Sequence, residues 1–187
     1  IIAYQGDIQT HARLWTEKGA SNHPPMIVSG GDITINGTAH GLGSEHLVIQ
    51  ADGDVRLQNN SYMGAVGMQS VHDIDIAAKG GIVIDRINVR DAKLIAPVVE
   101  TADEKGIDLR PSFTNVKIGQ PNGTVKLAGT CHDCEIKAES GSVYQADRRT
   151  RAAAPSKFNC GFDPHHQQSS QQQQVTITGR SLGSGRA

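Results

Sequence analysis

Aromatic residues are scarce in this chain: three Phe, three Tyr and one Trp account for 4% of its 187 residues. A globular core of this length ordinarily contains more large rings, because aromatic side chains dominate core packing. The apolar residues are mainly Ile, Val, Leu and Ala, in a sequence that contains 21 Gly. Branched aliphatic residues between glycines favour many short β-strands separated by turns, and they do not favour long helices.

Long apolar runs and a strong charge of either sign are also absent. No stretch of about 18 apolar residues occurs, so the sequence predicts no transmembrane helix. The formal net charge of −1 at pH 7 argues against nucleic-acid binding, which requires a basic surface. The residues from Ile1 to Tyr4 lack the basic region and apolar run of a signal peptide. A mature form, or a piece of a longer protein, is therefore expected.

A repeated unit is present instead. Its order is an apolar residue, any residue, Ile, a short stretch of polar and small residues, Gly, any residue, and then two apolar residues with one residue between them. The segment from Leu47 to Leu57 is the clearest copy, and the marker glycines recur at intervals of about 17 to 27 residues. Intervals of this length suit one coil of a stacked β-architecture. The marker glycines are Gly6, Gly31, Gly53, Gly80, Gly123 and Gly141, with Gly106 as a degenerate seventh.

Alternation of apolar and polar residues buries one face of each strand, and Gly supplies the tight turn between strands, where φ can be positive. One coil cannot bury its own apolar face, whereas coils stacked about 4.8 Å apart can. We therefore predict an all-β fold, a β-solenoid of about six or seven coils, with Ile49, Ile76, Ile118 and Ile136 in one interior column. A β-sandwich is the alternative, but it does not predict the fixed place of Gly in the unit.

The composition divides the chain into three regions. Residues 1–146 are predicted to form the β-solenoid domain, and residues 147–166 a linker or cap. Residues 167–187 are predicted to be a flexible, low-complexity tail rich in Gln and Ser. The tail contains one short terminal strand, from Val175 to Thr178, which could add itself to a sheet edge.

Three segments interrupt the repeat and are predicted to project as loops: residues 10–25, 58–70 and 97–114. Leu14 and Trp15, in the first of them, are expected in a short helix or a loop. Loops that project from a regular scaffold are common sites of binding.

Two segments resemble a known family. Residues 29–37 read SGGDITING and residues 49–60 read IQADGDVRLQNN. They resemble the repeats of filamentous haemagglutinin-type proteins, which are secreted by two-partner systems, and the resemblance extends over residues 26–90 and, more loosely, residues 115–146. It implies a right-handed β-helix, export across the bacterial outer membrane, and adhesion or a rigid stalk that carries another activity.

Cys131 and Cys134 form the one motif of redox or metal type, Cys-His-Asp-Cys. Together with Cys160 and either His165 or His166 they could supply the four ligands of a zinc site, although the second half lacks the paired spacing of a zinc half-site. Cys134 also occupies the place that Leu47 has in its own copy, which favours a buried thiol or a disulfide between Cys131 and Cys134. No cofactor is expected, and redox catalysis would need a helix N-terminus beside the thiol.

Outward carboxylates are the other candidates. Asp73 and Asp75 are expected on one face of one strand, about 7 Å apart, a separation that suits an inverting glycosidase but is also typical of any solvated strand. Asp7, Asp32 and Asp54 each follow a marker glycine. They are expected either to form a cation-binding column or, as the favoured interpretation, to make local hydrogen bonds in turns.

These observations favour a structural or adhesive module, secreted or on the bacterial surface, over an enzyme. Its expected partners are proteins or further copies of itself, bound through the solenoid ends or through the C-terminal tail within a larger envelope complex. The alternative is a polysaccharide-processing enzyme, a lyase or hydrolase on the same scaffold, with carbohydrate as its ligand. No nucleic-acid partner is expected.

Overall fold

The computed structural model describes residues 1–11, 13–15, 24–41, 46–59, 69–102, 111–145 and 175–178. Within these residues all regular elements are β-strands, and all strand pairings are parallel. No helix in the described part of the chain is long and apolar enough to cross a membrane. The strands are β1 (Ile2–Ala3), β2 (Ile8–Thr10), β3 (Leu14–Trp15), β4 (Met26–Ser29), β5 (Ile33–Asn36), β6 (Ala39–His40), β7 (Leu47–Ala51), β8 (Val55–Gln58), β9 (Gln69–Ala78), β10 (Gly81–Asp85), β11 (Ile87–Ile95), β12 (Val98–Thr101), β13 (Ser112–Gly119), β14 (Thr124–His132), β15 (Cys134–Lys137), β16 (Ser140–Gln145) and β17 (Val175–Thr178).

The strands stack in three parallel ladders, and one passage of the chain through all three is called a rung. Ladder one begins with β1, β4 and β7, continues through the second halves of β9, β11 and β13, and ends with β15 and β17. Ladder two contains β2, β5, β8, β10, β12, β14 and β16. Ladder three contains β3, β6, the first halves of β9, β11 and β13, and the end of β14. The predicted all-β class is confirmed, and the parallel pairing is consistent with a β-solenoid.

A column of aliphatic side chains fills the interior behind ladder one. Parallel pairing places these residues directly opposite one another from rung to rung, and each is at most 3% exposed. Burial of one such side chain contributes roughly 1.5–3 kcal/mol, so the column is a major stabilising element. The predicted alignment is confirmed, and the column consists of Ile27, Ile49, Ile76, Leu94, Ile118 and Ile136.

Two segments that were predicted to be irregular are strands. Leu14–Trp15 pairs with β6, so the expected short helix or loop is wrong at these residues. Val98–Thr101 is β12, which pairs with β10 on one side and with β14 on the other. A rung therefore passes through the first part of the predicted 97–114 loop. The repeat is hard to recognise there because Pro97 stands where the marker glycine is expected. Val98 pairs with Thr124, so Pro97, which precedes Val98, corresponds to Gly123, which precedes Thr124.

The last marker glycine was also assigned wrongly. Gly141 lies opposite Val125, and Val143 lies opposite Leu127, so Gly141 occupies an inward aliphatic position and not the turn. A Cβ at Gly141 would collide with the backbone of Val125. The chain therefore comes close to the neighbouring strand at this point, and only Gly permits that approach. Gly106 lies outside the described residues.

The predicted terminal strand is confirmed: Val175–Thr178 pairs with β15 and extends ladder one. Residues 147–166, the predicted linker or cap, lie outside the described residues, as do residues 60–68 of the predicted 58–70 loop. The proposed domain boundaries therefore remain predictions.

Candidate functional site

The turn between ladders one and two carries a hydrogen-bonded series of carboxylates, the aspartate ladder (Asp7, Asp32 and Asp54). Asp7 Oδ1 accepts the backbone N–H of Asp32 at 2.8 Å, and Asp32 Oδ1 accepts that of Asp54 at 2.7 Å. Asp54 Oδ1 in turn accepts the N–H of Gly81 at 2.6 Å. The favoured expectation of local turn hydrogen bonds is wrong, because each carboxylate joins its own rung to the next one. Hydrogen bonds to ionised acceptors are stronger than neutral ones.

The marker glycines accommodate this ladder. A Cβ placed at Gly31, Gly53 or Gly80 would collide with the carboxylate oxygen of the aspartate in the preceding rung. None of these three glycines has a φ in the left-handed region, so the explanation by positive φ is wrong for them. Glycine is needed because the carboxylate occupies the space of a side chain.

Gly6, in the first rung, differs from the later marker glycines Gly31, Gly53 and Gly80 because its φ is 93°. Ile1 and Tyr4 are 67% and 87% exposed. A Cβ at Gly6 would meet nothing within 4 Å, in contrast to the later marker glycines.

Four residues form a left-handed corner between ladders three and one: Asp73, Asp91, Asn115 and Asp133, with φ of 54°, 47°, 53° and 53°. Adjacent register pairs place them one above another. Asn115 Nδ2 donates to Asp91 Oδ1 at 2.7 Å. Asn and Asp adopt this conformation more readily than other non-glycine residues, which accounts for the residue types at the corner.

Basic side chains precede the corner in several rungs. His72 Nδ1 lies 2.7 Å from Asp73 Oδ2, and Arg90 Nε lies 3.3 Å from Asp91 Oδ2. The rings of His40 and His72 stack with their centroids 4.7 Å apart and an interplanar angle of 8°. The sequence analysis did not identify this cluster. Its signal in the sequence is a polar or basic residue followed by Asp or Asn, which recurs at the same register position in successive rungs. The recurring pairs are His72-Asp73, Arg90-Asp91, Thr114-Asn115 and His132-Asp133.

Burial lowers the pKa of His40 below its ordinary value, and the neighbouring charge of His72 acts in the same direction. Asp73 opposes this shift, whereas Arg13 adds to it. Protonation of His40 is therefore disfavoured, because its charged ring would be partly desolvated and would face the ring of His72.

The predicted pair Asp73 and Asp75 does not have the geometry of a regular strand. Asp73 lies at the left-handed corner and contacts His72, whereas Asp75 Oδ1 lies 3.1 Å from His46 Nδ1. The expected separation of about 7 Å assumed regular alternation, which the corner interrupts. The two carboxylates form two separate His–Asp pairs, and a catalytic role for them remains a hypothesis.

Cys131 and Cys134 lie on either side of Asp133, both are buried, and no disulfide bond joins them in this structure. Cys134 has the predicted inward place, one residue before the register pair Lys117–Glu135. Its sulfur lies 3.4 Å from the carbonyl oxygen of His132. A hydrogen bond from the Cys131 thiol lowers the pKa of Cys134, and burial opposes that shift.

The other two residues of the predicted zinc site, Cys160 and His165, lie outside the described residues. Within the described ranges, His, Cys, Asp and Glu form no group of three or more that could hold a metal ion. The zinc hypothesis is therefore neither supported nor tested by Cys131 and Cys134.

No protein-family model, curated protein or solved structure matches this chain. A functional assignment must therefore come from the geometry itself. That geometry consists of carboxylates that join one rung to the next and a polar corner of His–Asp and Arg–Asp pairs.

Proposed function

We propose that the chain is a structural module of a secreted or surface-exposed bacterial protein. In this proposal it is a right-handed β-helix of about six or seven rungs, which at about 4.8 Å per rung forms a rigid rod on the order of 30 Å long. The rod would carry or connect other parts of a larger assembly, and it would associate with partners through its ends.

The aspartate ladder is the observation that carries this proposal. Three carboxylates that an enzyme could direct at a substrate instead accept backbone N–H groups at 2.6–2.8 Å from the following rung. Outward charges elsewhere are also matched locally, as in the pairs His72–Asp73 and Lys79–Asp52, both at 2.7 Å. Polar groups used in this way stiffen a stack along its axis, which is what a spacer requires.

Amide hydrogen exchange of the 187-residue chain tests the rigid stack. We expect slow exchange of the N–H groups of Asp32, Asp54 and Gly81, because they donate to carboxylates of the preceding rung, and Asp52→Ala should leave these rates unchanged. Fast exchange of the three amides would contradict the proposal. Protease accessibility of the protein on intact cells tests the surface location, and protection of the protein until lysis would count against it.

A second candidate, a polysaccharide-processing enzyme, is favoured by the His72–Asp73 pair. A carboxylate 2.7 Å from an imidazole nitrogen orients the ring as a general base would require. The test is release of reducing or unsaturated sugar ends from acidic and neutral polysaccharides by the chain. Release that Asp73→Asn abolishes and Asp52→Asn preserves would favour the enzyme over the structural module.

A further inference from the structure

We propose that Cys131 and Cys134 form a disulfide bond when the chain folds in the presence of a low-molecular-weight disulfide. The structure contains the reduced pair, and the bond would close the left-handed corner at Asp133. This cross-link is a covalent modification that the proposed structural function neither requires nor predicts.

The left-handed corner places both cysteines on the inner side of the backbone. In a regular strand, residues three positions apart lie on opposite faces. Cys131 and Cys134 are three positions apart in the sequence, yet they are 0% and 2% exposed. Asp133, with a φ of 53°, interrupts the alternation between them. The corner therefore directs both thiols into the interior.

Earlier copies of the corner have apolar side chains at the same two places. Strand register aligns Cys131 with Phe113, and it aligns Cys134 with Val116. A cross-link between these places would therefore join ladder three to ladder one inside the core. The pairs at the earlier corners are Val71 and Ile74, Val89 and Ala92, and Phe113 and Val116, and each of these residues is at most 4% exposed.

The two thiols are in contact in the reduced protein. The Cys131 thiol donates a hydrogen bond to the Cys134 sulfur. The Cys134 sulfur also lies 3.4 Å from the carbonyl oxygen of His132 and 3.5 Å from that of Phe113. Because two groups that are held together react as if at a high effective concentration, the fold favours a bond between these two sulfurs.

The oxidant is a small disulfide, RSSR, such as oxidised glutathione. The thiolate of one cysteine attacks a sulfur of RSSR, whose S–S bond breaks and releases RS⁻. The thiolate of the other cysteine then attacks the protein sulfur of this mixed disulfide and releases the second RS⁻. The cysteines lose two electrons, which RSSR gains, and the two thiol protons go to the released thiolates. The products are one protein disulfide and two RSH.

Burial determines when this exchange occurs. Exchange requires access of the small disulfide to a thiolate, and neither cysteine is more than 2% exposed. The bond therefore forms while this part of the stack is still open, during folding. After the stack has closed, the same burial protects the bond from reductants, so the conditions in which the chain folds set its redox state.

Peptide mapping of the 187-residue chain tests the bond. The chain is unfolded in urea, refolded either with reduced and oxidised glutathione or with a reductant alone, alkylated in urea and digested with trypsin. Residues 127–137, LAGTCHDCEIK, form one tryptic peptide that contains both cysteines. We expect this peptide to be unalkylated and two hydrogens lighter after refolding with glutathione, and doubly alkylated after refolding with the reductant.

Cys160→Ser is the matched control for the mapping, and it should give the same result, because Cys160 takes no part in the proposed bond. After refolding with glutathione, a doubly alkylated peptide, a glutathione adduct or a bond to Cys160 would overturn the proposal.

Urea denaturation tests whether the corner accommodates the bond. In the Cys160→Ser background, the oxidised chain should retain the circular dichroism spectrum of the reduced chain. It should also unfold at an equal or higher urea concentration, because the bond constrains the unfolded chain. A lower midpoint, or loss of the β-sheet spectrum, would show that the bond strains the corner and would contradict the proposal.

Oxidation rates test the effect of burial. Oxidised glutathione added to the folded, reduced Cys160→Ser chain should oxidise the pair about tenfold or more slowly than it does in urea. An equal rate in the folded chain would refute formation of the bond during folding.

Discussion

Asp32 Oδ1 accepts the backbone N–H of Asp54 at 2.7 Å, although the two residues are 22 positions apart in the sequence. The same oxygen lies where a side chain on Gly53 would be. Asp32 thus joins two rungs. It also requires glycine immediately before the aspartate of the next rung, because its carboxylate occupies the space of a side chain at Gly53. The recurrence of Gly-Asp in the sequence is a consequence of this contact between neighbouring rungs.

Removing the carboxylate should weaken the contact between rungs. Asp32→Ala is expected to lower the free energy of unfolding by about 1 kcal/mol, the typical contribution of one hydrogen bond. Asp32→Asn retains an acceptor oxygen and should cost less than half as much. Urea denaturation followed by circular dichroism measures both changes. Asp52→Ala is the control, because Asp52 pairs with Lys79 at an exposed site, where ion pairs contribute little. An Asn variant as unstable as the Ala variant would contradict the assigned role of the acceptor.

Gly53→Ala should be destabilising because the new methyl group collides with the Asp32 carboxylate. Overpacking of this kind costs about 1–3 kcal/mol. In the double variant Asp32→Ala/Gly53→Ala the obstacle is gone, so part of that cost should be recovered. A double-mutant cycle measures the coupling, expected to be at least about 0.5 kcal/mol. Additive effects would show that the cost of Gly53→Ala arises from the backbone and not from Asp32.

The interior of this fold could be predicted from the sequence, because burial follows the alternation of single strands. Ile49, Ile76, Ile118 and Ile136 line up as that alternation predicts. The contacts between rungs could not be predicted in the same way. They depend on register, and segments of variable length between the strands hide the register from the sequence.

Irregular copies show the same difficulty. Pro97 takes the place of a marker glycine, and Gly141 is displaced by two residues from the turn to an inward position. A search for glycine therefore misses the rung that contains Pro97 and assigns the wrong register to the rung that contains Gly141. The His40–His72 stack was missed for a related reason, because the two residues are 32 positions apart in the sequence and only the strand register brings their rings together.

The left-handed corner should be sensitive to the residue type at Asn115. Asn115→Val places a β-branched residue at a φ of 53° and removes the hydrogen bond to Asp91. We expect a loss of about 2 kcal/mol, mainly from backbone strain. Asn115→Gly removes the same hydrogen bond but tolerates the backbone conformation, so it should be clearly the milder change. Thermal melts compare the two variants, and equal losses would mean that the hydrogen bond, and not the backbone, is what matters.

The Cys134 side chain occupies an aliphatic place in the interior, at 2% exposure. Cys134→Val should therefore keep the free energy of unfolding within about 1 kcal/mol, as volume-conserving apolar substitutions do. Cys134→Ser, of similar size but with a buried hydroxyl, should cost more. Both variants are measured under reducing conditions in a Cys160→Ser background, so that the proteins compared differ only at Cys134. A large loss of stability in the Val variant would indicate a role for the thiol itself, such as its hydrogen bond with Cys131.

Protonation of His40 should destabilise the fold as the pH falls. Burial, with His72 and Arg13, lowers the pKa of His40 below its ordinary value of 6.5, so just below pH 6.5 the unfolded chain binds this proton more readily than the folded chain. Stability from this group is then complete above about pH 6.5 and is lost as the pH falls through the lowered folded value. We expect the unfolding midpoint to fall less between pH 7.5 and pH 5.5 in His40→Gln than in the unsubstituted protein. His72→Gln removes one cause of the shift, so an NMR titration of the His40 ring should then give a higher pKa. A His40 ring that titrates above 6.5 in the unsubstituted protein would refute the proposed effect of burial and of the stacked pair.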